Sequence, residues 1–340
     1  MSAAAEAVRG ADPAPERSGP SLIVEHLTTS IRIDRRWFDA VRDVSFQVNP
    51  RETLALVGES GCGKSLTALS VMGLLPEGVG RVSNGKIIVD GTDMTAASAA
   101  KAQAMRGDRI GMIFQEPMTS LNPVLPVGFQ IAESLIEHRG MSGRQARQRA
   151  LELMELVRIP AAAQRLDAYA HQFSGGMRQR VMIAIALACS PKVLIADEPT
   201  TALDVTIQAQ VLALLADLQR REGLAVLLIT HNLGVVAAVA DRVIVMYGGD
   251  VVESAPVKEF FARPTHPYSE ALLAAMPRVD RSAEALAPIP GQVPTLPDLP
   301  AGCRFQSRCP LRIARCAELP PLISLAAAPA HGVRCWARAP

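Results

Sequence analysis

A glycine-rich stretch in the first quarter of the chain carries the residue types that hold phosphate groups. Residues 58–65 follow the pattern G-x-x-x-x-G-K-S, which is the phosphate-binding loop pattern. Glycines let successive backbone N–H groups turn inward, and the next helix adds a partial positive charge at its start. We expect Lys64 to reach the β- and γ-phosphates and the Ser65 hydroxyl to ligate Mg²⁺. The predicted contact residues of this phosphate-binding loop are Gly58, Glu59, Ser60, Gly61, Cys62, Gly63, Lys64 and Ser65.

The neighbouring sequence supplies the two elements that must position this loop. Residues 53–57 form a short apolar run typical of a buried parallel strand, and residues 66–75 carry apolar side chains at helical spacing. The alternative is a chance match on a glycine-rich turn. The order strand, loop, helix argues against that alternative and predicts a phosphate site in an α/β fold.

A second apolar run ends in two carboxylates. Residues 192–198 read as a strand that closes with Asp197 and Glu198. Ligands of open parallel sheets bind at the carboxyl ends of the strands. We therefore expect Asp197 to hold Mg²⁺ and Glu198 to orient or deprotonate the attacking water. The alternative is a pair of solvated acids, which is disfavoured because the loop strand would open at the same edge.

Two more polar residues directly follow predicted strands. Gln115 comes after the apolar run at residues 110–114, and His231 comes after the run at residues 226–230. A single histidine is more often structural than catalytic. Its place at a strand end nevertheless favours a contact with the γ-phosphate.

Ser174, Gly175 and Gly176 open the apolar helix predicted at residues 181–188. A helix that starts behind a serine and two glycines can bind an anion. A plain helix N-cap by Ser174 is the alternative, and it would be the better interpretation if this segment stood alone.

Bulk properties limit the partners of the chain. A formal net charge of +2 over 340 residues is too small to indicate nucleic acid or an anionic membrane surface as a partner. No apolar run reaches the length of a spanning helix, and the N-terminus lacks the apolar core of a signal peptide. We expect residues 1–20 to be a disordered arm and the chain to stay in the cytoplasm, where a partner provides any membrane contact.

Four of the six cysteines lie in the last forty residues. Cys303, Cys309, Cys316 and Cys335 are spaced C-x5-C-x6-C-x18-C. Structural zinc sites normally contain tighter cysteine pairs, whereas four thiolates and a Cys-Pro dipeptide at Cys309 are typical of iron–sulfur sites. Zinc, and free or disulfide-bonded cysteines, remain the alternatives.

Taken in chain order, these motifs resemble the nucleotide-binding domain of ABC transporters over residues 21–260. The resemblance includes the turn that ends at Asp204. The signature segment, residues 173–177, differs from the family pattern Leu-Ser-Gly-Gly-Gln at Phe173 and Met177. This methionine, the string Ser-Leu-Asn-Pro at 120–123 and His-Pro-Tyr at 266–268 are similar to the ATP-binding subunits of oligopeptide and dipeptide importers. Close relatives of that subfamily import nickel or glutathione.

The resemblance implies a P-loop NTPase (RecA-like) α/β core in a nucleotide-binding domain at residues 21–262. An antiparallel β subdomain precedes the core, and a helical subdomain is inserted at about residues 116–172. A small Cys-rich C-terminal extension covers residues 263–340. Trp37 or Phe38 could stack on adenine, although sheet packing is an equally good interpretation.

The resemblance also implies an ATPase that uses ATP and Mg²⁺, with Gln115 as a further Mg²⁺ ligand and sensor of the γ-phosphate. ATP would lie between the phosphate-binding loop of one chain and Ser174, Gly175 and Gly176 of a second ATPase subunit, usually a paralogue, in a head-to-tail dimer. Asp204 belongs to the same set of nucleotide-site motifs. In some members the four cysteines hold a [4Fe–4S] cluster.

The implied partners are two transmembrane permease subunits and, indirectly, an extracytoplasmic substrate-binding protein. This places the chain at the cytoplasmic face of the bacterial inner membrane. A soluble ABC ATPase of DNA repair or translation is a competing class. It is disfavoured because the chain contains neither a long coiled-coil insertion nor a second ATPase domain. An iron–sulfur protein with a vestigial nucleotide site is disfavoured by the intact acids and His231.

Overall fold

A computed structural model describes residues 19–116, 120–201, 203–276 and 289–338. The strands are β1 (Leu22–Ile33), β2 (Arg36–Val48), β3 (Thr53–Val57), β4 (Gly80–Val89), β5 (Thr92–Asp93), β6 (Ile110–Ile113), β7 (Val193–Asp197), β8 (Ala225–Ile229), β9 (Arg242–Tyr247), β10 (Asp250–Pro256), β11 (Ile323–Leu325) and β12 (Ala328–Val333). The α-helices are α1 (Lys64–Met72), α2 (Ala99–Met105), α3 (Val127–Arg139), α4 (Gly143–Leu156), α5 (Ala162–Arg165), α6 (Gly175–Leu187), α7 (Val205–Glu222), α8 (Leu233–Val239), α9 (Val257–Ala262) and α10 (Pro267–Ala274). Single 3₁₀ turns cover Ala170–Gln172, Leu296–Asp298 and Ala314–Ala317.

The strands form two sheets. The larger has the order β11-β12-β10-β9-β3-β8-β7-β6, and its five strands from β9 to β6 are parallel. The smaller is antiparallel, with the order β2-β1-β4-β5. This arrangement confirms the predicted α/β core with an antiparallel β subdomain.

The central strands are short and buried on both faces. Every residue of β3, β7 and β8 is buried, as expected when helices or a second sheet cover both sides of a parallel sheet. Alternate side chains of one strand therefore enter different cores. Leu194 and Ala196 pack with α3, α4, α6 and α7, whereas Val193 and Ile195 pack with α1 and the antiparallel sheet.

The helices that follow the two predicted phosphate-binding motifs consequently lie on opposite faces of the sheet. Helix α1 contributes Ala68 and Val71 to the core shared with the antiparallel sheet. Helix α6 contributes Val181 and Ile183 to the core of the helical layer. A third core joins α8, α9, α10 and the C-terminal extension around Tyr247, and it covers the β9 side of the sheet.

Several boundaries differ from those predicted from the sequence. Helix α1 ends at Met72 because Gly73 adopts a left-handed conformation (φ 63°) and its N–H bonds back into the last turn. The apolar run within residues 85–91 predicts a strand closed by a turn; the observed strand β4 begins five residues earlier, at Gly80. The 18-residue helix α7 was not predicted, although Asp204, at the end of the predicted turn, provides an N-cap signal. The predicted disordered arm lies, up to residue 18, outside the described residues.

The C-terminal extension completes the larger sheet. Strand β12 pairs with β10 in register Glu253↔Val333, and β11 then pairs with β12. The Glu253 carboxylate is fully buried, where it accepts hydrogen bonds from the backbone N–H groups of Thr265 and His266, both at 2.8 Å. His331 Nε2 lies 2.7 Å from the same carboxylate. One acidic side chain thus ties the sheet to the start of α10 and to the terminal hairpin.

His266 caps α10 from a buried position. Its Nδ1 accepts a hydrogen bond from the N–H of Tyr268 at 3.1 Å, and burial lowers the pKa of the imidazole to about 3. The unfolded chain binds a proton at this histidine below a pKa of about 6.5. Because the folded-state pKa is the lower one, stability from this group is complete above about pH 6.5 and is lost as the pH falls toward 3.

We predict that His266→Asn flattens the acid side of the stability profile. Asparagine can still cap the helix but does not titrate. Between pH 7 and pH 5 the wild type should lose about 2 kcal/mol of unfolding free energy through this histidine, and the variant should not. Urea unfolding at both pH values measures the difference. Equal pH slopes in the two proteins would contradict the prediction.

Candidate nucleotide site

The phosphate-binding loop connects the end of β3 to the start of α1, as the sequence predicts. Gly58 has a φ of 152°, and a Cβ at this position would overlap the carbonyl oxygen of Met246. Gly63 has a φ of 100°, and its Cβ would lie 3.2 Å from the carbonyl oxygen of Ala40. Both positions need glycine because the loop backbone runs against β2 and β9 in conformations that other residues rarely adopt.

Lys64 is folded into the loop. Its ammonium is buried and donates hydrogen bonds to the carbonyl oxygens of Gly58 at 2.8 Å and Glu59 at 3.0 Å. A phosphate chain in the loop would attract the same ammonium through charge-assisted hydrogen bonds. Cys62 Sγ lies 3.6 Å from this nitrogen. Burial raises the pKa of the Cys62 thiol, and Lys64 offsets this only in part, so the thiol is not activated.

Two of the three predicted Mg²⁺ ligands lie together. Ser65 Oγ donates a hydrogen bond to Asp197 Oδ1 at 3.2 Å, which joins the first turn of α1 to the end of β7. Burial raises the pKa of Asp197, and the hydrogen bond from Ser65 works in the opposite direction. A hydroxyl and a carboxylate oxygen are ligands that suit Mg²⁺, so this pair fits the predicted metal.

Glu198 is oriented by three side chains. Gln115 Nε2 donates to Oε2 at 3.1 Å, Thr201 Oγ1 donates to the same oxygen at 2.9 Å, and His231 Nδ1 lies 3.0 Å from Oε1. Burial alone would raise the pKa of Glu198, but the hydrogen bonds from His231 and Thr201 outweigh it and leave the pKa below its usual value. The carboxylate is therefore held ionised and positioned, as a group that orients or deprotonates water must be.

The backbone at Glu198 is unusual as well. Its φ is 47°, in the left-handed region that glutamate seldom adopts. The conformation turns the chain sharply after β7, and the Thr201 N–H bonds to the Glu198 carbonyl in that turn. Strained backbone of this kind concentrates at functional sites. Thr201 was not predicted as a site residue. Its hydroxyl lies three residues beyond the predicted strand at residues 192–198, and such a position is a weak signal of function.

The signature segment has a structural role in the single chain. Ser174 is the N-cap of α6, and its Oγ accepts a hydrogen bond from the N–H of Met177 at 3.4 Å. A Cβ on Gly176 would lie 2.5 Å from Ile207 Cγ2, so glycine lets α6 approach α7 closely. Gly175 opens the first turn of α6, on the face opposite α1. The two predicted phosphate-binding helix starts therefore belong to helices on opposite faces of the sheet.

Asp204 is the N-cap of α7. Its Oδ1 accepts a hydrogen bond from the N–H of Ile207 at 2.9 Å. Its membership in a nucleotide site stays a prediction. At the antiparallel sheet, Trp37 is partly exposed, and the guanidinium carbon of Arg81 lies 4.2 Å from its ring centroid. The guanidinium carbon of Arg36 lies 5.4 Å from the ring centroid of Phe38. Stacking of either ring on adenine stays a prediction.

The four cysteines of the extension are neighbours with free thiols. Burial raises the pKa of Cys303 to about 11, and the nearby thiols of Cys316, Cys309 and Cys335 add to this effect. The backbone N–H of Cys303 also donates to the carbonyl oxygen of Cys316 at 3.0 Å. In the described ranges, however, no group of three or more His, Cys, Asp or Glu side chains is arranged to hold a metal ion. The donor type fits an iron–sulfur cluster, but this arrangement does not form one.

Two families match successive parts of the chain. The ABC transporter family matches residues 41–201, and the oligopeptide/dipeptide transporter C-terminal region matches residues 252–316. A protein of Brucella abortus (strain 2308), provisionally named a peptide import ATP-binding protein, is 52% identical over 328 residues, which are 93% of this chain and 96% of that protein. A relative with the same kind of name in Brucella melitensis is 48% identical over 324 residues, or 95% of this chain and 97% of its own length.

Solved structures show the same fold in known ATPase cassettes. The ATP-binding cassette MJ0796, described as a dimeric post-hydrolysis state bound to ADP and Pi, superposes with a TM-score of 0.63 at 28% identity. The superposition covers 69% of this chain and 98% of the MJ0796 chain. The cbiO1 protein of Clostridium perfringens, part of the ABC transporter complex cbiONQ, has a TM-score of 0.61 at 27% identity, with 72% of this chain and 91% of its own covered.

The phosphate-binding loop, the Ser65–Asp197 pair and the Glu198 cluster lie at one edge of a parallel sheet, and relatives match nearly the whole length of the chain at about half identity. The chain belongs to the ATP-binding proteins of the ABC transporter family, with a C-terminal region of the oligopeptide/dipeptide transporter type.

Proposed function

We propose that this chain hydrolyses ATP to drive the uptake of dipeptides or oligopeptides across the cytoplasmic membrane, as an ATPase subunit of an ABC importer. The observation that carries the proposal is the Glu198 carboxylate, held ionised between Gln115, Thr201 and His231 beside the Ser65–Asp197 pair. The peptide cargo is supported by the names of the relatives and by the family of the C-terminal region.

Different residues of the chain bind the phosphates, hold Mg²⁺ and activate the attacking water. Lys64 and the loop N–H groups bind the phosphates, which stabilises charge on the transferred group. Ser65, Asp197 and Gln115 would hold Mg²⁺, which supplies charge neutralisation when bound. Glu198 orients the attacking water and accepts its proton, while His231 and Thr201 keep the carboxylate in place.

A complete site needs a second ATPase subunit. Helices α1 and α6 lie on opposite faces of the sheet, so Ser174, Gly175 and Gly176 reach a nucleotide only when it is bound to another chain. We assign Asp204, at the neighbouring helix start, to the same contact. A head-to-tail pair with a paralogous subunit satisfies this geometry. The solved cassette with ADP and Pi is described as dimeric, which supports the proposal.

The helical layer offers a surface for the permease subunits. Val124 is 75% exposed and Phe129 is 47% exposed, and both lie in or before α3. Exposed apolar side chains that cluster on one layer are typical of protein interfaces. No helix in the described parts of the chain is long and apolar enough to span a bilayer. We therefore assign the chain to the cytoplasmic face of the inner membrane, bound to two transmembrane subunits that an extracytoplasmic binding protein supplies with cargo.

We assign a [4Fe–4S] cluster to Cys303, Cys309, Cys316 and Cys335. Four buried or half-buried thiols in one segment are the ligand type of such clusters, and their mutual effect on the pKa of Cys303 supports their proximity. In the described arrangement these thiols do not form a metal site, so cluster formation would require them to move together. The cluster would stabilise the extension by cross-linking its turns.

We predict that Glu198→Gln separates ATP binding from hydrolysis. The amide keeps the size of the side chain but cannot accept a proton, so ATPase activity of the assembled transporter should fall about a hundredfold or more. ATP affinity, measured with a fluorescent analogue, should change less than about threefold because the phosphate contacts remain. If the variant hydrolyses ATP at the wild-type rate, Glu198 is not the general base.

A charge at position 174 tests the contact in trans. Ser174→Asp retains an N-cap acceptor but adds a negative charge where the partner's γ-phosphate would lie. We expect ATPase activity of the assembled transporter to fall at least about tenfold, while ATP affinity of the isolated chain stays unchanged. Ser142→Asp is the matched control, because Ser142 caps α4 in the same way. Equal activity of the two variants would contradict a contact in trans.

The cluster assignment predicts iron and acid-labile sulfide in protein purified without oxygen. We expect about four of each per chain. Cys309→Ser should lose most of both, and Cys189→Ser, which changes a buried cysteine of the helical core, should retain them. Elemental analysis and visible absorption measure the content. Stoichiometric zinc, or metal content independent of Cys309, would contradict the assignment.

A further inference from the structure

The C-terminal extension contacts the phosphate-binding loop at Glu59 from two directions. The hydroxyl oxygen of Tyr268, in the first turn of α10, accepts a hydrogen bond from the backbone N–H of Glu59 at 2.8 Å. Arg308 donates to both carboxylate oxygens of Glu59, from Nη1 at 2.7 Å and from Nη2 at 3.2 Å. These partners lie 209 and 249 residues along the chain from Glu59.

Arg308 is held rigidly for this contact. Its side chain is only 4% exposed, whereas that of Glu59 is 30% exposed. Nε donates to the carbonyl oxygen of Pro290 at 2.8 Å, and Nη2 donates to that of Ile289 at 3.3 Å. Tyr247 lies beneath it, with its hydroxyl 3.5 Å from Nη1. A two-point guanidinium–carboxylate pair with a fixed guanidinium holds the carboxylate in one orientation.

Tyr268 is fixed just as firmly. Its ring is fully buried and packs edge-on against Tyr247 at 4.8 Å between centroids, with Phe305 of the extension at 5.3 Å. Its neighbour His266 caps the same helix and is bound to Glu253 of the sheet. The hydroxyl therefore cannot follow movements of the loop.

The two contacts determine how the loop backbone faces the phosphates. The carbonyl of Glu59 is one of the two that bind the Lys64 ammonium, and its N–H is bound by Tyr268. With both its N–H and its side chain held from outside, Glu59 has little freedom to rotate its peptide groups. The following residues of the loop can then present their N–H groups inward without first being ordered by the ligand.

We propose that Tyr268 and Arg308 are positioning residues of the nucleotide site, through which the docked extension sets the affinity of the chain for ATP and ADP. Both residues lie outside the phosphate-binding loop and contact it at Glu59. They lower the cost of ordering the phosphate-binding loop by holding Glu59. Because the bonds of Glu59 run to Tyr268, Arg308 and the phosphate-binding Lys64, the effect is expected on nucleotide binding and not on the hydrolytic step.

The cleanest test removes one hydroxyl. In the full chain, Tyr268→Phe should weaken the binding of a fluorescent ATP analogue about three- to tenfold, as expected for the loss of one hydrogen bond to a partly buried group. Tyr169→Phe is the matched control, since it also removes one tyrosine hydroxyl but lies in the helical layer, where its ring stacks on His171. We expect the control to bind within about twofold of the wild type. Equal affinity of Tyr268→Phe and wild type would overturn the role of Tyr268.

A double-mutant cycle tests the ion pair. Arg308→Lys and Glu59→Gln should each weaken ATP and ADP binding about threefold or more, and the double variant should be no weaker than the worse single variant. If the losses of binding free energy in the two single variants add up in the double variant, the two residues act separately, and the proposed role of their ion pair is overturned. Arg304→Lys is the control for general loosening, because Arg304 anchors the extension to the carbonyls of Gly248 and Asp39. If Arg304→Lys and Arg308→Lys have the same melting temperature and lose the same affinity for nucleotide, the proposal is also overturned.

Steady-state kinetics of the assembled transporter distinguish positioning from catalysis. For Tyr268→Phe and Arg308→Lys, KM for ATP should rise with the loss of affinity while kcat at saturating ATP stays within about twofold. A fall in kcat with unchanged KM would contradict the positioning role. It would leave the proposed transport function intact, since that function is tested separately through Glu198.

Discussion

The parallel pairing of β3, β8 and β7 is the constraint on which the site depends. Leu56 of β3 and Asp197 of β7 both pair with Ile229 of β8, so the three strands end at the same level. This register brings the loop after β3, the two carboxylates at the end of β7 and His231 after β8 to one edge of the sheet. Because side chains alternate along a strand, a slip of one residue would turn Asp197 away and disrupt both cores.

The same sheet supports the proposal that one chain is half of a catalytic unit. Its two faces carry separate cores, and each core fixes one of the two predicted phosphate-binding helix starts, α1 on one side and α6 on the other. Burial of the apolar faces of both helices makes this separation permanent under native conditions. In the proposed function, hydrolysis depends on association, and nucleotide would act as the link between two subunits. Closure of such a pair is a two-state change that bound ATP favours and hydrolysis reverses.

The C-terminal extension is attached firmly to the sheet that carries the site. It pairs with the sheet through β12, and Arg42, which forms an ion pair with Asp250, also donates hydrogen bonds to the carbonyls of Ala301 and Gly302. The charged groups involved are largely buried and paired, which ties the extension to the core at several points. The proposed positioning of Glu59 follows from this docking. A segment rich in cysteine and proline therefore contributes to the nucleotide site without providing a ligand.

The sequence by itself determined the α/β class and the local chemistry of the site. Its glycine, lysine and carboxylate spacings predicted Lys64, Ser65, Asp197 and Glu198, because these motifs depend on adjacent residues and on strand ends. The same local reasoning failed for Thr201, whose hydroxyl contacts Glu198 only through the sharp turn after β7. Only the tertiary structure decided that α1 and α6 lie on opposite faces and that Tyr268 and Arg308 reach Glu59. Such contacts join residues hundreds of positions apart, so no periodicity or spacing in the chain encodes them; they follow from which surfaces the packed cores bring together.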